Sequence, residues 1–121
     1  MSNKRKRVIG TTEEYLAKAE GELWRRLPPS FRLWLMENNG RSIEQVWIYP
    51  IRDERDVPST WDSIVRQYDG GQWPLEQFED EDFSHLLPFG SGGTGDQYCF
   101  DYGRVGVDGE APVVIWLHET G

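Results

Sequence analysis

The sequence has one cysteine, Cys99, and two histidines, His85 and His118, among 121 residues. A lone cysteine excludes an internal disulfide and fits a reducing compartment, so a cytoplasmic location is expected. Two scattered histidines and one cysteine do not make a zinc-ligand pattern, and no metal or cofactor is expected. No apolar run approaches the roughly 20 residues that cross a bilayer, so no membrane partner is expected either. The basic start Lys4-Arg5-Lys6-Arg7 has no apolar segment behind it and does not read as a secretory signal.

Positive charge is also scarce. Thirteen Lys and Arg stand against 21 Asp and Glu, a formal charge of −8. Four of the thirteen lie at positions 4–7, so from Val8 onward nine basic residues face 21 acidic ones, a formal −12. Such a body repels nucleic acid and membrane surfaces and favours cationic partners. No nucleic-acid partner is expected. Residues 1–10 read as a disordered basic tail and 11–121 as one domain, long enough for a modest core. Six Trp, five Tyr and five Phe supply the large groups for that core.

The front of the chain has helical patterning. Thr11 with Glu14 makes a capping-box pattern, which starts a helix near Thr12. Tyr15, Leu16, Ala19, Leu23 and Leu27 then recur at helical spacing, with Gly21 a point of bending or ending. Pro28-Pro29 stops this helix and begins a second one, whose face is Phe31, Trp34 and Leu35 and whose stop is Asn39-Gly40. Residues 46–49 read as a short strand, 51–58 as loop, and Ser59 or Thr60 caps a helix through about Tyr68.

The back is strand-rich. Leu86-Leu87-Pro88-Phe89 is a short apolar segment before the glycine loop Gly90–Gly95. That loop has no following Lys and opens no helix, so it lacks the features of a phosphate cradle. Asp96 directly follows Gly95 and the pattern occurs once, unlike a calcium-binding glycine repeat. Tyr98, Phe100 and Tyr102 alternate behind it, which is strand patterning. The loop therefore reads as a tight, φ-positive turn in which Gly92, Gly93 and Gly95 permit the backbone and Asp96 braces it. Residues 103–109 read as a hairpin region with a short strand at Arg104–Val107, and 112–117 as a buried strand.

Several ordered segments carry a resemblance. Glu20-Gly21-x-Leu23, Leu27-Pro28-Pro29-Ser30-Phe31-x-x-x-Leu35 and Asn38-Asn39-Gly40 lie in the front half. The back half holds Leu87-Pro88-Phe89-Gly90, Gly93-x-Gly95-Asp96-x-Tyr98-Cys99-Phe100-Asp101 and Pro112-Val113-Val114-x-Trp116-x-His118-Glu119. In order and spacing, across residues 12–119, this resembles the SUKH superfamily, which includes the yeast Smi/Knr cell-wall-synthesis regulators and many bacterial toxin-immunity proteins. The resemblance implies a single-domain α+β fold, with N-terminal helices packed on a mostly antiparallel sheet. It also implies no common catalytic residues, and an intracellular antidote that binds a toxin. Pro28, Asn39, Gly40, Gly93, Gly95 and Asp96 are its structural motif positions. Members usually continue past the His-Glu into a further helix, whereas this sequence stops at Gly121, so the resemblance does not reach the packing of the last strand.

Catalytic alternatives are thin. Cys99 lies mid-strand between aromatics and reads as a core residue rather than half of a Cys–His dyad. Trp47, Tyr49 and Trp61 read as core, the alternative being that they add to a docking surface. The remaining feature is Glu76-Gln77-Phe78-Glu79-Asp80-Glu81-Asp82-Phe83, with Trp73 just before it. It reads either as a solvated charged loop or as a docking surface. In the second reading Trp73 and Phe78 are anchors, and Glu76, Glu79, Asp80, Glu81 and Asp82 are carboxylates for a basic protein. The expected function is a non-enzymatic immunity protein for a basic, nuclease-type toxin; a regulatory interaction module of Smi/Knr type is the alternative.

Overall fold

Leu16, Ala19 and Leu23 recur at three- and four-residue spacing and lie buried along one side of α1 (Glu13–Leu23) in the computed structural model, which describes residues 10–68, 85–93 and 96–116. The helix is capped by Thr12, whose Oγ1 accepts the Tyr15 N–H at 3.4 Å, and Glu13 and Glu14 stand at its positive end. The cap is thus one residue later than the Thr11–Glu14 box, because Thr11 is buried and donates its N–H to the Leu35 carbonyl at 3.1 Å. Gly21 does not end the helix, which runs on to Leu23; a Cβ there would meet no atom within 4 Å. Leu27 lies beyond the helix but is buried all the same.

The second helix, α2 (Pro29–Asn38), starts at the proline pair and buries Phe31 and Leu35, with Trp34 packed beside them. Pro28 offers it no side-chain cap. Glu110 supplies one from 80 residues away: its carboxylate accepts the Ser30 N–H at 2.8 Å and the Ser30 hydroxyl at 2.7 Å. A carboxylate at a helix N-terminus satisfies an orphan donor and meets the positive end of the dipole. Asn39 and Gly40 (φ 88°) end the helix as expected. Asn39 does more than stop it. Its buried amide donates to the Ile51 carbonyl at 2.9 Å and accepts the Ile51 N–H at 2.7 Å, joining the helix end to the segment that follows β1.

Four strands, β1 (Trp47–Ile48), β2 (Leu86–Ser91), β3 (Gln97–Asp101) and β4 (Val113–Trp116), form one antiparallel sheet in that order. The segment 86–89 extends to Ser91, so Gly90 belongs to a strand and not to the loop. The pairing register shifts between Pro88 and Gly90. A bulge is where a central strand tolerates a proline, which has no N–H for the ladder. Gly90 also allows close approach: a Cβ there would lie 2.9 Å from the Trp47 carbonyl oxygen.

Three expected elements differ. The helix expected up to Tyr68 is two short pieces, α3 (Val57–Thr60) and α4 (Ile64–Tyr68). Thr60 is turned inward, where its Oγ1 accepts the Asp53 N–H and donates to the Asp56 carbonyl, and Ser63 caps α4 instead. No strand forms at Arg104–Val107. The Asp101 carboxylate accepts the Gly103 N–H at 2.9 Å and turns the chain into a 3-10 helix, Tyr102–Arg104. Finally, β4 is an edge strand, not a buried one. Among the described residues it pairs with β3 alone, and Val113 and Ile115 are 53 % and 51 % exposed.

The helices meet the sheet at three phenylalanines. Phe89 and Phe100 stack with ring centres 4.1 Å apart, and Phe31 is tilted against both at 5.4 and 5.1 Å. Leu16, Leu35, Ile48, Ile51, Ile64 and Leu87 complete the buried cluster around them.

Buried carboxylates fasten the loops. Asp53 accepts the Arg55 backbone N–H and is paired with the Arg55 guanidinium at 2.6 Å. Burial pushes its carboxyl up, but the hydrogen bonds and charge of Arg55 outweigh this and hold it below the ordinary value. The hydrogen bond from Arg104 holds Asp101 low, helped by the Gly103 N–H. Both groups release their protons more readily folded than unfolded. Their contribution is complete above the ordinary Asp value near 4 and is lost as pH falls through the lowered folded values.

Two stability measurements follow from this architecture. Gly21→Ala adds about 0.5–1 kcal/mol in urea unfolding, since the site is helical and open. Gly10→Ala is destabilising, because Gly10 has φ +89° and a Cβ would collide with the Met36 carbonyl. In acid titrations of stability, Asp53→Asn loses about 1 kcal/mol or more at pH 7 and flattens the decline below pH 4. An unchanged acid limb would show that Asp53 is not linked to folding.

Candidate functional site

Glu20 links both sides of the α1–α2 turn. Its carboxylate accepts the Leu27 N–H at 2.8 Å and the Arg32 Nε–H at 2.9 Å. Arg32 also bridges to Glu13, and the hydrogen bond it donates to that carboxylate raises its pKa. The turn is held from the sheet side as well: Tyr102 donates its hydroxyl to the Arg26 carbonyl at 2.7 Å. Burial pushes that phenol upward, so it remains a donor. Arg25 lies over the Tyr102 ring at 4.7 Å.

Trp24 sits at the head of this turn in the left-handed conformation (φ 61°), with its N–H bonded to the Glu20 carbonyl. A bulky residue rarely adopts that backbone, and its side chain is 92 % exposed. The sequence carries no signal for this turn, because helical spacing continues through Leu27 to the proline pair.

Two clefts flank the helices. One, of about 390 Å³, lies between α1 and residues 51–66 and is lined by Tyr15, Arg52, Trp61, Val65 and Arg66 among others. Trp61 is half exposed, with Arg52 and Arg66 over its ring at 5.3 and 5.5 Å. Each guanidinium is paired with a carboxylate, Arg52 with Glu54 and Arg66 with Asp62. The second, of about 580 Å³, runs between α2 and the loop 105–110 and is lined by Arg26, Leu27, Leu33, Met36 and Val107 among others. Leu33 and Met36 lie off the Phe31–Leu35 face, a departure from amphipathic spacing that the sequence already carried.

The candidate docking residues Trp73, Glu76, Phe78, Glu79, Asp80, Glu81 and Asp82 lie outside the described residues, as do Gly95, His118 and Glu119. Of the motif positions that are described, Pro28, Asn39 and Gly40 shape the end and start of α2. In the glycine loop, Gly92 donates its N–H to the Asp96 carbonyl at 3.0 Å. Neither Gly92 nor Gly93 adopts positive φ, so the φ-positive turn is not made at these two glycines.

Tyr49 is core, as expected, and donates its hydroxyl to Gln97 Oε1 at 2.7 Å. Trp47 and Trp61 are not core: both are partly exposed, Trp47 because it points to the face of β1 opposite the buried Ile48 and Trp61 because it falls in the break between α3 and α4. Cys99 is fully buried, and burial pushes its thiol up to about 12, which leaves it protonated at neutral pH. It faces Pro88 across the ladder, while His85 lies three residues further along, roughly 10 Å away. Among the described residues, no three His, Cys, Asp or Glu side chains gather as a metal cluster, and no helix is long and apolar enough to cross a membrane.

This arrangement is one of surface clefts and exposed aromatic side chains on a sheet-backed helical layer. No curated protein sequence matches the chain. A family model described as SMI1 / KNR4 family (SUKH-1) matches residues 10–121. The motif phenylalanines Phe31, Phe89 and Phe100 that form the core fall within that match. The chain belongs to the SMI1 / KNR4 (SUKH-1) family.

Proposed function

We propose that this SUKH-type domain, spanning residues 11–121 behind a basic tail, is a cytoplasmic, non-enzymatic protein-binding module, an immunity protein that neutralises a basic, nuclease-type toxin. The observation that carries the reading is charge. From Val8 onward nine basic residues stand against 21 acidic ones. A nuclease surface is cationic because it holds phosphates, and an acidic antidote is drawn to such a surface and selected by it. Family membership supports a binding module of this type. The protonated, buried thiol of Cys99 supports a domain without thiol chemistry.

The docking surface proposed for the toxin is the segment with Trp73 and Phe78 as anchors and Glu76, Glu79, Asp80, Glu81 and Asp82 as the charges that steer the encounter.

Co-expression with the toxin encoded by the neighbouring gene restores growth and yields a co-purifying complex; a chain that does neither is not an immunity protein for that toxin. Replacing Glu79, Asp80, Glu81 and Asp82 with Gln and Asn slows association about tenfold or more at low salt and flattens its ionic-strength dependence, as read by stopped-flow mixing. An on-rate unchanged by those four substitutions would move the docking surface elsewhere.

A further inference from the structure

The second cleft begins at the α1–α2 turn that carries Trp24, and its charged lining residues balance, Glu13 and Asp108 against Arg26 and Arg32. Arg26, which lines the cleft, is two residues from Trp24 on the same turn, at most about 7 Å along the chain. Along α2, Leu33 is 67 % exposed and Met36 partly so, and across the cleft Val107 is fully exposed. Lone exposed apolar residues are ordinary, whereas several lining one concavity mark an interaction site.

The walls are fixed before any partner arrives. Glu110 ties the loop to Ser30 at the start of α2, and Gly106 donates its N–H to the Glu110 carbonyl at 2.9 Å. Tyr102 holds the turn that carries Trp24 and Arg26. A preformed groove loses little freedom on binding.

Trp24 adds an independent observation. Its left-handed backbone costs the fold, and its exposed ring gives back almost no burial. A tryptophan in that position is suited to a partner's surface, where such rings act as anchors.

We propose that the groove between α2 and the 105–110 loop, with Trp24 at its edge, receives an apolar segment of a cationic partner protein. A second copy of the chain is the disfavoured occupant, because two bodies of formal charge −8 repel. The inference rests on the protein-binding reading and adds to it a second, apolar contact separate from the carboxylate segment.

The test uses the full chain labelled with ¹⁵N, titrated with a leucine–lysine amphipathic peptide and with its leucine–glutamate counterpart. The lysine peptide shifts the Trp24 indole signal saturably, and the glutamate peptide does not. Leu33→Asp weakens lysine-peptide binding about tenfold or more. Trp24→Gly weakens it comparably while raising the melting midpoint, because glycine suits the left-handed position; a loss of binding in a more stable protein cannot be a loss of folding. Equal binding by wild type and both variants, no binding by wild type, or dimerisation of the free chain that Leu33→Asp abolishes would each overturn the groove. Neutralisation of a toxin equally by wild type and variants overturns the groove and leaves the immunity reading standing. A chain that binds the peptide through Trp24 and fails to neutralise overturns the immunity reading and leaves the groove.

Discussion

Phe89 and Phe100 stack on adjacent strands, and Phe31 reaches them from α2. This contact holds the helical layer to the sheet, and most of the remaining architecture is arranged to preserve it. The bulge at Pro88–Gly90 changes the register beside Phe89. The absence of a side chain at Gly90 lets β1 approach β2, which places Ile48 in the same cluster. Asn39 ties the far end of α2 to Ile51, so the helix that carries Phe31 is fixed at both ends. Close-packed rings tolerate little displacement, and the hydrogen bonds around them act as stops on the elements that carry the rings.

A chain this acidic must place its carboxylates somewhere, and four of the described ones close turns or helix ends. Glu20, Asp53, Asp101 and Glu110 accept backbone N–H groups at turns or helix ends, and the first three are also matched with arginines. These carboxylates substitute for the glycine, serine or asparagine that usually closes such turns. They do not contribute to an acidic face in any simple way, because their charge is already answered. Net charge already counts those arginines, so the excess of carboxylates falls on residues outside these turns, while in the helical layer arginines lie over Tyr15, Trp61 and Tyr102.

Much of the fold was legible in the residues. The period of Leu16, Ala19 and Leu23, the proline pair and Asn39-Gly40 set both long helices, and the alternation at Tyr98 and Phe100 set β3. What could not be read was decided by contacts distant in sequence. Thr11 lost its capping role to a bond with Leu35, and Thr60 lost its own to Asp53 and Asp56. The apolar run at 113–116 resembles a buried strand until its place at the sheet edge is known. The clefts were hidden for the same reason. Leu33, Met36 and Val107 are unremarkable in sequence until the Glu110–Ser30 bond brings the loop to the helix, and only the backbone angle of Trp24 marks it as unusual.

The Glu110 cap on α2 also bears on the order in which the chain assembles. Its two partners are separated by 80 residues, a stretch that takes roughly 4–16 s to synthesise at 5–20 residues per second. Throughout that interval α2 exists without its capping carboxylate, and for most of it Phe31 has neither Phe89 nor Phe100 to pack against. The front helices are therefore made before the sheet they pack on, and the contacts that join the two layers wait for the last strands. The strands pair in sequence order, so the late contacts are those that reach back to α2, the two ring contacts of Phe31 and the Glu110 cap.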